Sequence, residues 1–116
     1  MFRLALPLAF LAAPALADDP LVESVTARAS ASGWSFDVTL SHPDTGWDHY
    51  ADGWRVLAPD NTELGMRELV HPHVNEQPFT RSLSGVQIPA GITQVQIQAR
   101  CITDGWSATT YPVDLD

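Results

Sequence analysis

The sequence predicts a single all-β domain, an antiparallel sandwich of about seven short strands. Three observations carry this. No stretch after Pro20 sustains a helical period, whereas apolar and polar residues alternate with period two again and again. The alternating runs are short and are bounded by Gly, Pro, Asp and Asn. Turn signals recur at the spacing of a sandwich, with no repeats and no low-complexity linker.

The first element is not part of that domain. Met1-Phe2-Arg3 makes a short positive start, Leu4 to Leu11 is apolar, and Ala15-Leu16-Ala17 is a small-x-small cleavage site. This order reads as a secretory signal peptide over residues 1–17, too short to span a bilayer. Residues 18–116 are then the β domain, periplasmic or secreted, with no membrane insertion in its mature form. No cysteine follows the cleavage site, which argues against a lipid anchor.

Val25, Ala27 and Ala29 alternate with polar neighbours as a first strand, and Ser32-Gly33 turns the chain back. Trp34, Phe36, Val38 and Leu40 then mark one face of the clearest strand, with Ser35, Asp37 and Thr39 on the other. A loop follows over residues 41–52. Trp54 to Ala58 is a short strand, Pro59-Asp60-Asn61 a turn, and Glu63 to Val70 the returning strand. Pro72 and Pro78 bracket a second loop before a strand begins at Phe79. A cross-strand pair of Glu68 with Arg81 is expected there. Pro89-Ala90-Gly91 is a turn, and Val95, Ile97, Ala99 and Cys101 form the inward face of a long strand. Asp104-Gly105 turns into a last strand from Trp106 to Leu115.

Ser84-Gly85-Val86-Gln87-Ile88-Pro89-Ala90-Gly91, then Val95-x-Ile97-x-Ala99 and Asp104-Gly105-Trp106-Ser107, resembles the back half of a fibronectin type III domain. The resemblance covers about thirty residues of the C-terminal third. It implies an immunoglobulin-like sandwich and, because such sandwiches host unrelated roles, no function.

Composition narrows the function. The chain has six arginines, no lysine and fourteen acidic residues among its 116. Without the leader, five arginines face fourteen acids, a net charge near −9. That field repels nucleic acid. Cys101 is the only cysteine, so packing rather than disulfides must hold the fold. No Gly-x-Ser-x-Gly elbow, phosphate loop or His-Glu-x-x-His is present, and a sandwich this small offers little concavity, so the domain is read as no enzyme.

If successive strands run antiparallel, loops 41–52, 71–78 and 103–106 share one end. His42, His49, His71 and His73 then all belong to that end, along with Trp47, Asp48, Tyr50 and Trp106. Two readings follow. In the first, Trp47, Asp48, His49, Tyr50, His71, His73 and Trp106 form a surface for a protein or glycan partner, with no cofactor. In the alternative, His71-Pro72-His73 places two imidazoles on one side of an extended chain, and His49 completes a Cu or Zn site. Cys101 reads as a small buried hydrophobe. A blue-copper centre of Cys101, two histidines and Met66 would normally need a histidine and a weak axial ligand, often methionine, close after the cysteine, and no histidine or methionine follows Cys101. Asp44, Asp48 and Asp52 match no calcium-loop spacing and read as turn aspartates.

Overall fold

The computed structural model describes residues 19–115; the signal-peptide segment 1–17 lies outside the described residues. Eight strands and no helix are found among them: β1 (Leu21–Ser30), β2 (Gly33–Ser41), β3 (Ala51–Leu57), β4 (Glu63–Glu68), β5 (Phe79–Val86), β6 (Gln94–Cys101), β7 (Gly105–Trp106) and β8 (Tyr111–Asp114). One antiparallel sheet has the order β1-β2-β5 and the other the order β4-β3-β6-β7, with β8 also paired to β6.

Alternation decides which side chains meet between the sheets. Phe36, Val38 and Leu40 of β2 face Trp54 and Val56 of β3 and Val95, Ile97 and Ala99 of β6, within one buried cluster drawn from both sheets. In β1 a bulge between Val22 and Ser24 restores the parity that one extra residue would break, so Val22 and Val25 both pack on this core. The β1–β2 hairpin closes on Ser30 opposite Gly33. Gly33 has φ 123° there, and a Cβ on it would sit 2.7 Å from the Val86 carbonyl oxygen. Only glycine fits both constraints.

Two expectations need correction. The last strand is broken: the register against β6 runs from Arg100 opposite Trp106 to Ile97 opposite Tyr111, so the β7–β8 side carries two extra residues. Residues 107–110 absorb them: Ser107 N still donates to Ala99 O at 2.8 Å, and the Gln98 side-chain amide donates to the Ser107 carbonyl at 2.9 Å. The Glu68–Arg81 pair cannot form across a ladder, because β4 and β5 lie in different sheets. Arg81 turns instead to Glu76, at 3.1 Å, and to His73.

Candidate site at the loop end

Strand direction puts the β2–β3 loop, the β4–β5 loop and the β6–β7 turn at one end. Hydrogen bonds tie them together: Ile102 N donates to Tyr50 O at 3.0 Å, Leu69 N to Asp52 O at 3.0 Å, and the Thr103 hydroxyl to Asp48 O at 2.6 Å. All four histidines collect here. The His42 and His49 ring centroids are 4.7 Å apart, as are those of His71 and His73.

Asp44 joins the two pairs. Its side chain and that of His42 are both fully buried, and His42 Nδ1 lies 2.6 Å from Asp44 Oδ1. The same oxygen accepts the Ala51 amide at 3.0 Å, while Oδ2 accepts the His73 amide at 2.8 Å. One carboxylate thus clamps the start of β3 and the 71–78 loop. Gln77 adds a second clamp, accepting from His42 N at 3.0 Å and donating to His73 O at 2.8 Å. Asp44 is therefore a buried structural anchor, not a solvated turn residue.

His73 is buried, stacked on Phe79 with centroids 4.0 Å apart, and its Nε2 lies 2.9 Å from an Arg81 guanidinium nitrogen. Burial, then the Arg81 charge, holds its pKa below the ordinary imidazole value. Facing Arg81, Nε2 acts as the acceptor, which requires a neutral ring.

On the other side of Asp44, His49 follows a tight loop in which Thr45 N donates to His49 O and His49 N to Gly46 O. This turn, with Ala51 opposite Cys101 in the sheet register, carries His49 Nδ1 to 3.7 Å from Cys101 Sγ. One ligand atom each from His42, His49 and Cys101 lies within 4.8 Å of the others. Burial pushes the Cys101 thiol pKa up.

The structure thus rearranges the trio of His49, His71 and His73 expected from the sequence. His49 belongs with His42 and Cys101, and His73 is committed through Nε2 to Arg81. His71 stays at the exposed rim. The aromatic platform expected from the sequence is also divided. Trp47 stands exposed with its ring edge-on to a buried Tyr50, 5.8 Å between centroids. Trp106 lies under the Arg55 guanidinium, 3.8 Å from its ring centroid, with Arg100 at 4.9 Å. Its ring is engaged by cations rather than presented to a ligand. Asp48 is exposed. The sequence reading missed Asp44 and undervalued His42 and Cys101. The one signal for them was the pairing of a 42–50 loop with a strand ending in an inward cysteine.

A protein of Halomicrobium mukohataei named "Putative lipoprotein" is 41% identical to this chain over 81 residues. The match covers 70% of this chain and 39% of that protein, so the chain spans about two-fifths of its relative's length. No protein-family model matches the chain, and no solved structure matches it. Among the described residues no helix is long and apolar enough to cross a membrane. A lipoprotein relative is consistent with an envelope or extracellular location.

Proposed function

We propose that this is a non-catalytic, extracytoplasmic binding module of immunoglobulin-like architecture that contacts a protein partner through its loop end. One observation carries the reading. The exposed large apolar side chains among the described residues are Leu21 (60%), Trp47 (66%), Val70 (70%), Val74 (50%) and Ile102 (45%). Every one belongs to that end, Leu21 through its pairing with Ser41. At the opposite end, Leu64, Ile88 and Ile92 pack against the core instead. Exposed apolar side chains gathered on one surface mark interaction sites more than solvated faces.

A protein suits this surface better than a glycan. Sugar recognition needs open aromatic faces, and of Trp47, Tyr50 and Trp106 only Trp47 offers one. Glu23, Asp48 and Glu76 are exposed around it, which favours a partner with an apolar centre and a basic margin. Sheet membership supports the architecture: the first, second and fifth strands form one sheet, and the third, sixth and last form the other, as in immunoglobulin-like sandwiches. β4 lies beside β3.

Crosslinking capture from the native envelope fraction tests the reading, comparing the wild-type protein with a Trp47→Ala, Val70→Ser, Val74→Ser variant. A captured protein lost in this variant and kept in a Pro59→Ser control at the other end is expected. An unchanged captured set would refute the loop end as the interface.

A further inference from the structure

We infer that His42, His49 and Cys101 form a binding site for one copper ion, held by two imidazole nitrogens and a thiolate. The site is independent of the protein partner and does not use the His-Pro-His segment.

The donor atoms already stand close to ligating distances. An ion about 2.3 Å from sulfur and about 2.0 Å from nitrogen, at an angle between tetrahedral and trigonal, holds those donors about 3.5–3.8 Å apart. Cys101 Sγ and His49 Nδ1 stand 3.7 Å apart. His42 contributes the third atom inside the same 4.8 Å group, which must contract by up to about 1 Å to close three donors on one ion.

His42 points independently to a ligand. Its side chain is fully buried, and Nδ1 is engaged by Asp44 at 2.6 Å. An ionised carboxylate only accepts, so Nδ1 carries a proton here, and in the neutral ring that a metal ligand must be, the lone pair falls on Nε2. Nε2 is buried without a hydrogen-bond partner among the described residues. An acceptor left so is costly, on the order of 1–3 kcal/mol, and calls for a reason. Ligation is such a reason. A carboxylate on one imidazole nitrogen, fixing the ring for a metal on the other, is the usual support of histidine ligands. Asp44 is itself oriented by the amides of Ala51 and His73, so the ring is aimed before any ion arrives.

Donor chemistry selects the ion. Thiolate with imidazole and no carboxylate in the group excludes calcium and magnesium. Zinc held by only three protein ligands keeps a solvent molecule in its fourth position; a set of two imidazoles and one thiolate, with His42 and Cys101 buried, suits copper, whose monovalent form favours the soft sulfur. His42 and Cys101 are buried and His49 is half-buried, which limits the access of competing water.

The test uses the purified protein, reduced and stripped with chelator under nitrogen, then given one equivalent of Cu(I). X-ray absorption at the copper edge is expected to show one sulfur and two nitrogen neighbours; a shell with no sulfur would overturn the site without recourse to any variant. Competition against a chromophoric Cu(I) chelator should show affinity falling on the order of 100-fold in Cys101→Ser and in His42→Gln, and staying within about twofold in His71→Ala. Loss in His71→Ala with retention in Cys101→Ser would place the metal on the exposed histidines and refute the inference. Displacement of bound Cu(I) by equimolar Zn(II) would refute the choice of copper.

Discussion

Replacing Asp44 should be the most damaging single change at the loop end, and the size of the effect follows from its three donors. The carboxylate accepts from His42 Nδ1, from the Ala51 amide and from the His73 amide, at 2.6, 3.0 and 2.8 Å. Removing a buried carboxylate also removes its desolvation cost, which on its own would favour the variant. The donors decide the outcome. An imidazole can exchange its proton between nitrogens, but two main-chain amides cannot be withdrawn, and each left buried and unpaired costs about 1–3 kcal/mol. Asp44→Ala is therefore expected to lose about 2–6 kcal/mol, against a total of about 5–15 kcal/mol for a domain of this size. Asp44→Asn keeps one acceptor oxygen. Placed at the Oδ1 position, it still serves His42 and Ala51, and its NH2 then meets the His73 amide donor head-on. One bond is lost, about 1–3 kcal/mol. Urea unfolding followed by tryptophan fluorescence, to which the fully buried Trp54 contributes, measures both. With a slope of about 1 kcal/mol/M, the Asn midpoint should fall by about 1–3 M and the Ala midpoint further, at unchanged slope. An Asp44→Ala midpoint within about 0.3 M of wild type would show that the carboxylate does not hold the loops together.

Three further outcomes are expected. Gly33→Ala should cost about 2 kcal/mol or more, since strain at positive φ adds to a Cβ 2.7 Å from the Val86 carbonyl; Gly91→Ala, at φ 91° with nothing within 4 Å, should cost about 1 kcal/mol, and equal midpoints for the two in urea would refute the packing term. Trp54→Ala should cost about 3–5 kcal/mol by differential scanning calorimetry, whereas Trp54→Phe should cost much less, because it also deletes an indole N–H that is buried without a partner; a Phe variant as unstable as Ala would refute that. The depressed His73 pKa predicts acid lability: the unfolded chain takes up the proton below its ordinary pKa near 6.5 while the folded chain resists, so this stability is intact above that pH and is lost as pH falls below it, at no more than about 1.4 kcal/mol per pH unit. His73→Gln should flatten that portion of the stability-versus-pH curve, and identical slopes in wild type and variant would show the group is not responsible.

The core was legible because period two is a local signal with a steric cause. Phe36, Val38 and Leu40, and Val95, Ile97, Ala99 and Cys101, fall on buried faces that their alternation alone marks. Bulges hid what was misread. Between Trp106 and Tyr111 two extra residues break one predicted strand into β7 and β8; in β1 an irregularity at Val22 to Ser24 extends the strand to Leu21, ahead of the run that alternates cleanly. Sheet membership was hidden more deeply. Nothing in Glu68 or Arg81 reveals that β4 and β5 belong to opposite sheets, since both partners of a hairpin and both partners of a crossover carry the same pattern.

Strand direction sufficed to bring the imidazoles to one end, but not to sort them, and the reason is physical. Direction fixes which end a loop occupies to within roughly a strand's length, some 20 Å, whereas ligation discriminates at tenths of an ångström. The sorting is done by groups whose partners are remote in sequence: Asp44 reaches 29 residues to the His73 amide, and His49 reaches 52 residues to Cys101. A short motif such as His-Pro-His draws attention because its two rings are neighbours along the chain. Here His71 stays at the surface, while the buried His73 commits its Nε2 to Arg81. His42 looks like an isolated loop residue until the carboxylate two positions on turns its remaining nitrogen toward the interior. The chemistry at this end therefore rests on which imidazole nitrogen each neighbour occupies, a property that belongs to the folded chain and to no single stretch of it.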